Sequence, residues 1–162
     1  MTVRPARPAR RDAAAPPSSG RADEVAHGCR RVAAWAAEEP DVAAVGLAGS
    51  WARGAARADS DVDLVVLTGT PERWVAGEDW IAAAVGRPVT PVRTRTWGVL
   101  TERRVRLRTG LEVELGIVPE RWAAEPVDGG TARVVRDGFR VLHDPDGVLA
   151  RLVAVLGGAR ES

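Results

Sequence analysis

Hydrophobic and polar positions along this chain follow two spacings, one typical of helices and one typical of strands. Apolar residues recur at helical spacing from Asp23 to Glu39, and Pro40 ends that pattern. Further helices are predicted in the segments 70–85, 130–137 and 145–156. Short apolar runs predict strands at 42–47, 61–67 and 139–142, and the segment 89–99 is predicted to be extended, with Pro91 favouring an edge position. Because strands and helices are mixed without strict alternation, we expect an α+β (α/β-like) fold, with a small mixed β-sheet flanked by helices.

An apolar alternation on both sides of Gly110 predicts a β-hairpin whose register follows from the pattern. A two-residue loop would set Leu107 opposite Glu112, which puts an apolar and a charged side chain on one face. A three-residue loop instead pairs Leu107 with Leu111 and places Gly110 where such loops need a left-handed residue. The second register keeps apolar and charged side chains on opposite faces and is therefore favoured. In this register Glu114 faces Arg104.

Composition indicates one domain in this chain of 162 residues. Residues 1–20 are rich in Pro, Arg, Ala and Ser and are predicted to be a disordered tail, followed by a folded domain at 21–158. The single Cys29 excludes an intrachain disulfide and a Cys-based zinc site. No apolar run reaches membrane-spanning length, so we expect a cytoplasmic protein with no membrane partner. The net charge of +1 gives no strong nucleic-acid signal.

All 23 basic residues are Arg, and the chain contains no Lys, Asn, Gln or Tyr. Together with the abundance of Ala, Gly and Val, this indicates the codon bias of a GC-rich bacterial genome. The bias weakens any argument that a particular Arg stands where it does for chemical reasons.

The candidate catalytic residues are concentrated in the segment from Gly49 to Leu64. A Gly49-Ser50 turn follows one apolar strand, and Asp61 and Asp63 open the next. Side chains alternate across a strand, so both carboxylates point to one face, where they repel unless a cation lies between them. Oxygen-only ligands favour Mg²⁺, and the backbone N–H groups of a Gly-Ser turn suit a phosphate. The segment therefore predicts metal-assisted phosphoryl or nucleotidyl transfer.

This arrangement resembles the nucleotidyltransferase superfamily that includes DNA polymerase β, and within it the minimal nucleotidyltransferases of bacteria. The signature is Gly-Ser, then Asp-x-Asp on a strand about ten residues later, and Gly49-Ser50 and Asp61-Val62-Asp63 match it in type and spacing. Arg53 and Ser60 also fit the form common among the minimal members. The resemblance covers roughly residues 42–119, and the segment after it is interpreted as an accessory helical end.

The resemblance implies a third carboxylate on a later strand, which we assign to Glu114. The family usually has Asp at that place, and Glu112, on the same face, is the rival assignment. Glu112 has two further interpretations: a general base for the acceptor hydroxyl, or an ion-pair partner of Arg106.

By resemblance, the enzyme transfers a nucleoside monophosphate from a nucleoside triphosphate, with ATP expected, to a hydroxyl and releases pyrophosphate. Two Mg²⁺ ions are implied: Asp61 and Asp63 hold the ion on the triphosphate, and they share the second ion with Glu114. Nucleotide contacts are implied for Gly49, Ser50, Arg53 and Ser60. The acceptor is a small molecule or a protein hydroxyl, the latter as in antitoxins that adenylylate a partner toxin.

Two alternatives remain open. The chain resembles drug-modifying aminoglycoside or lincosamide nucleotidyltransferases, although its short C-terminal end offers little surface to enclose a bulky antibiotic. It is otherwise a catalytically silent partner-binding module, although three converging carboxylates without cations would be unfavourable. Trp97 and Trp122 are interpreted as core or core-margin residues.

Overall fold

The computed structural model describes residues 15–157, which form a six-stranded mixed sheet with helices on both faces. This confirms the predicted fold class. The strands are β1 (Val42–Ala48), β2 (Val62–Thr68), β3 (Val89–Trp97), β4 (Leu100–Leu107), β5 (Glu112–Pro119) and β6 (Phe139–His143). The first 14 residues of the predicted tail lie outside the described residues.

Six α-helices and one 3-10 helix lie before, between and after these strands in the described part. They are α1 (Ser19–Ala37), α2 (Gly49–Ala52), α3 (Pro71–Ala76), α4 (Asp79–Val85), the 3-10 helix Glu120–Ala123, α5 (Gly129–Arg136) and α6 (Val148–Gly157). Helix α1 begins four residues before the predicted Asp23, because the Ser18 side chain caps it by accepting a hydrogen bond from the Arg21 N–H at 3.1 Å. No helix within residues 15–157 is long and apolar enough to cross a bilayer.

The segment 70–85, predicted as one irregular helix, forms two helices that are separated at Gly77. The Trp80 indole N–H donates to the carbonyl oxygen atoms of Trp74, at 2.8 Å, and of Gly77, at 3.1 Å. These bonds satisfy backbone acceptors that the broken helix leaves open.

The strand order in the sheet is β3-β4-β5-β2-β1-β6. Strands β2 and β5 are parallel, and the other neighbouring pairs are antiparallel. The central strands are covered on both faces and are therefore almost continuously apolar. Strand β3 lies at an edge, as the Pro91 ring predicted.

Helices α1, α3 and α4 pack on one face of the sheet, and the 3-10 helix, α5 and α6 pack on the other. Val62 and Leu64 of β2 face the first core, whereas Val65 faces the second. Trp122 is buried in the second core, as predicted. The prediction for Trp97 was wrong: it lies at the tip of the β3–β4 hairpin, beyond the helical cover, and is 60% exposed.

The β4–β5 hairpin has the three-residue loop and the register predicted from face matching. The Leu107 N–H donates to the Leu111 carbonyl oxygen at 2.8 Å, and Arg104 lies opposite Glu114. Gly110 has a φ of +89°, the left-handed conformation that the loop requires. This register brings charged residues of β4 and β5 onto the same face as the Asp61–Asp63 pair.

Candidate active site

Three carboxylates meet where β2 and β5 run side by side. Asp61 immediately precedes β2, and Asp63 lies in it, directly opposite Glu114 of β5. The residues that alternate with them, Val62 and Leu64, are buried in the first core. Alternation therefore sends the carboxylates to the other face, toward α5. The structure thus brings together the three residues that the resemblance implies as metal ligands.

Asp63 is the most perturbed of these acids. Burial, the neighbouring Glu114 and the charge of Asp61 raise its pKa to about 8. The Gly49 turn lies directly against it: Gly49 has a φ of +76°, and a Cβ there would meet Asp63 Oδ2 at 2.7 Å. Only glycine combines this conformation with this close approach. The Gly-Ser turn and the half-buried Asp63 therefore form one unit.

Arg104 of β4 is the cation at the centre of the acidic cluster. Its Nη1 lies 2.7 Å from Asp61 Oδ2 and 2.9 Å from Glu112 Oε2, and its Nη2 contacts Glu114 Oε1. The side chain is only 14% exposed. Burial works to lower its pKa, but Asp61 and Glu112 outweigh burial and raise it, so Arg104 stays charged. Its guanidinium neutralises part of the cluster.

Glu112 is held by two guanidinium groups. Arg106 Nη2 donates to Glu112 Oε1 at 2.9 Å, in addition to the bond from Arg104. Burial opposes a lower pKa, but these two cations prevail and lower the pKa of Glu112. The ion-pair interpretation of Glu112 describes these contacts, and a carboxylate of lowered pKa is a weak general base.

Glu102 is an acid of this cluster that the sequence did not single out. It lies on β4 opposite Gly116 of β5, and the Trp97 indole N–H donates to its Oε2 at 3.3 Å. Burial and the neighbouring Glu114 raise its pKa. The pKa of Glu114 is lowered despite burial, because Glu102, Asp63 and Arg104 all stabilise its charged form. Extending the hairpin register by two residues would have placed Glu102 here.

The residues implied as nucleotide ligands have different surroundings. The Gly49 N–H donates to the Gly138 carbonyl oxygen at 3.0 Å, so this group is already engaged. Ser50 is partly exposed at the start of α2. Arg53 Nη1 donates to the Asp137 carbonyl oxygen at 2.9 Å.

Ser60 Oγ accepts a hydrogen bond from the Arg57 N–H at 2.8 Å. Ser60 thus bonds within its own loop and Arg53 bonds to the residue that follows α5. The Gly49-Ser50 turn is the part of the implied nucleotide set that lies against Asp63.

The donor set suits a hard divalent cation by its chemistry. As they stand, no three His, Cys, Asp or Glu side chains in residues 15–157 are spaced to hold a metal ion. However, Asp61, Asp63 and Glu114 offer only oxygen atoms, the ligands that Mg²⁺ prefers. Partial burial and the neighbouring carboxylates raise the pKa of Asp63, so a cation beside it would stabilise its charged form. The residues therefore fit Mg²⁺, provided that Arg104 yields its contacts with Asp61 and Glu114.

An inner cavity of about 230 Å³ opens over the acids. Its charged lining residues are four carboxylates: Asp63, Glu102, Glu114 and Asp137. Gly49 lines it on the β1 side. The cavity is large enough for several water molecules or a phosphoryl group, and its charge requires cations before an anion can enter.

Comparison with known proteins gives one family match. The nucleotidyltransferase domain family matches residues 30–118, more than half of the chain and a span that contains the Gly-Ser turn and the acids of β2, β4 and β5. No curated protein sequence matches the chain.

Solved structures with a similar fold include a cytoplasmic RNA terminal U-transferase and the Cid1 poly(U) polymerase. The first has a TM-score of 0.48 and 17% identity, covering 64% of this chain and 31% of the other. The second has a TM-score of 0.46 and 14% identity, covering 63% of this chain and 32% of the other. The chain spans about a third of the length of these two structures.

Proposed function

We propose, from the premise that this chain belongs to the nucleotidyltransferase domain family, that it transfers a nucleoside monophosphate from a nucleoside triphosphate to a hydroxyl group. The observation that carries the proposal is the half-buried carboxyl of Asp63, packed against the Gly49 turn and directly opposite Glu114. A partly desolvated acid in contact with other acids is unfavourable for folding alone. It is understandable where a divalent cation and a triphosphate complete the site.

In the proposed reaction, the acceptor oxygen forms a bond to the α-phosphorus while the bond between that phosphorus and the bridging oxygen to the β-phosphate breaks. Pyrophosphate leaves with that bridging oxygen, and the hydroxyl proton passes to a base or to water. Asp61, Asp63 and Glu114 would hold Mg²⁺, which supplies charge neutralisation of the triphosphate and activation of the hydroxyl. The Gly49-Ser50 turn would hold the polyphosphate end of the donor beside Asp63.

Arg104 would have two states in this proposal. Without Mg²⁺ it neutralises Asp61 and Glu114, and with Mg²⁺ bound its guanidinium keeps the contact with Glu112. The proposal takes ATP as the donor and a small molecule or a protein as the hydroxyl acceptor. The activity on RNA is a property of the two solved proteins. Their similarity to this chain does not support the expectation that this chain lacks a nucleic-acid acceptor.

The silent-module alternative gives no reason for carboxylates to lie close together, since a scaffold does not need them. The position of Asp63 directly opposite Glu114 and against the Gly49 turn argues against it, because the neighbouring acids disfavour its charged form. The drug-modifying alternative differs from the proposal only in the identity of the hydroxyl acceptor.

Thermal stability in the presence of ligands tests the proposal without any acceptor. Mg²⁺ together with a non-hydrolysable ATP analogue should raise the melting temperature, and neither alone should do so to the same extent. Asp63→Asn should abolish this shift. Asp59→Asn changes an exposed carboxylate in the loop before β2 and should retain the shift. Equal shifts in the two variants, or no shift in the parent protein with any triphosphate, would overturn the proposal.

A further inference from the structure

A larger outer cavity of about 650 Å³ lies beside the inner cavity. It is bounded by the tip of the β3–β4 hairpin, where Trp97 lies, and by the segment that contains Trp122. Leu100, Glu102 and Val134 line both cavities, so the two are adjacent. A molecule in the outer cavity therefore lies beside Glu102, one of the acids of the cluster.

The strand order sets a line of functional groups across the sheet. Gly49 follows β1, Asp63 lies on β2, Glu114 on β5, Glu102 on β4 and Trp97 on β3. An in-line displacement requires the attacking and leaving oxygens on opposite sides of the phosphorus. If the polyphosphate end lies at the β1 side, the hydroxyl must enter from the β4 side, where the outer cavity opens.

The outer cavity has the size and the aromatic lining of a small-molecule site. Its volume falls in the range of sites that bind drug-sized ligands. Trp97 is 60% exposed and Val99 is 43% exposed, and both line the cavity. Large apolar side chains grouped at such an opening mark a binding surface more often than chance exposure.

The charges of the two cavities favour a cationic occupant. The outer cavity contains two carboxylates, Glu102 and Asp128, against the guanidinium of Arg121. The inner cavity adds the acidic groups described above. Such a lining repels the phosphates of a nucleic acid, whereas indole faces and carboxylates together attract organic cations.

We propose that the outer cavity is the acceptor site and that it takes a hydroxyl-bearing organic cation of small-molecule size. Trp97 packs on the cation, while Glu102 and Asp128 compensate its charge. The hydroxyl then points past Glu102 toward Glu114 and Asp63. This inference rests on the proposed function and names its acceptor class.

Binding of choline tests the inference in the full chain without nucleotide. Choline carries a hydroxyl and a quaternary ammonium, and 3,3-dimethylbutan-1-ol is its neutral isostere. The readout is the indole N–H signal of Trp97 in a ¹⁵N-labelled sample, assigned by its loss in Trp97→Phe. Choline should shift this signal, and the neutral alcohol should bind about fivefold more weakly.

Variants place the binding in the outer cavity. Glu102→Gln and Asp128→Asn should each weaken choline binding about threefold or more, measured on the Trp97 signal. Val155→Ala, an exposed apolar residue on α6 outside the cavity, should leave it unchanged. Trp97→Ala is expected to fold because the side chain is largely exposed, and it should lose choline binding in calorimetry.

Three results would overturn the inference: equal affinity for choline and the neutral alcohol, displacement of choline by oligoadenylate at similar affinity, or a shift of the Trp97 signal by ATP alone. The second would assign the cavity to a nucleic acid, and the third to the nucleobase. None of these measurements uses Mg²⁺ or turnover, so failure here is distinguishable from failure of the nucleotidyl-transfer proposal.

Discussion

Arg104 forms an ion pair with Asp61 across the intervening strand β5, with Nη1 2.7 Å from Oδ2. The same guanidinium contacts Glu112 and Glu114, so one cation from the sheet serves three carboxylates. Asp63 and Glu102 are the acids of the cluster that this cation does not contact. The cluster is thus partly neutralised by the fold itself, and the remaining negative charge is available to a divalent ion.

Arg104→Gln should destabilise the protein by about 1–3 kcal/mol in the presence of a chelator, because Asp61 loses its cation while Glu112 and Glu114 keep only Arg106 and Arg93. Mg²⁺ should restore more stability to this variant than to the parent protein. Arg106→Gln is the matched control: its side chain is 55% exposed and contacts Glu112 alone, so its effect should stay below about 1 kcal/mol. Urea unfolding with and without Mg²⁺ measures both, and equal losses in the two variants would contradict the central position given to Arg104.

The stability of the metal-free protein should fall as pH rises from about 4 to about 8 through the contribution of Asp63. Its folded-state pKa of about 8 lies above the ordinary value of 3.8, so the folded state binds the proton more tightly than the unfolded state. That contribution is complete below pH 4 and is lost by pH 8. The measurement is the difference in unfolding free energy between the parent protein and Asp63→Asn over this range. A difference that moves in favour of the parent protein as pH rises would contradict the environment described for Asp63.

Gly49→Ala should abolish the stabilisation by Mg²⁺ and the ATP analogue, because a Cβ would displace the Asp63 carboxylate. It should also cost about 1–2 kcal/mol of stability from the left-handed backbone. Gly54→Ala carries the same backbone strain, with a φ of +71°, but a Cβ there meets nothing within 4 Å. Both variants should therefore lose stability, and only Gly49→Ala should lose ligand binding. Retained binding in Gly49→Ala would separate the turn from the acid.

Replacement of Glu114 and Glu112 by Gln, one at a time, decides which residue is the third metal ligand. Glu114 lies directly opposite Asp63, whereas Glu112 is occupied by Arg104 and Arg106. We expect Glu114→Gln to weaken Mn²⁺ binding at least tenfold and Glu112→Gln to change it little. Calorimetric titration with Mn²⁺ measures both. The reverse order would assign the ligand to Glu112.

The local pattern of residues was sufficient to predict the fold class and the β4–β5 register. Apolar residues alternate strictly with Arg and Glu there, and a one-residue slip would have buried Glu112 beside Leu107. The start of α1 was predicted four residues late, because the cap at Ser18 lies ahead of the first apolar repeat. The periodicity of apolar residues therefore located the helix but not its first turn.

The position of Arg104 in the site depends on strand order, which no local pattern contains. The hairpin register set Arg104 opposite Glu114, but its contact with Asp61 exists because β2 lies next to β5. The exposure of Trp97 has a similar cause, since the hairpin tip extends beyond the helices that cover the sheet. An aromatic residue in a strand gives no sign of which neighbours the fold brings to it.

The central claim is tested most directly by pyrophosphate release from ATP and Mg²⁺, with cell extract as the source of the acceptor. The parent protein is compared with Asp63→Asn and Asp59→Asn. We expect release by the parent protein and by Asp59→Asn, stimulation by Mg²⁺, and a loss of at least a hundredfold in Asp63→Asn, with unfolding curves that show each variant folded. Release by Asp63→Asn at the rate of the parent protein would contradict the assignment of this acid as the centre of the reaction.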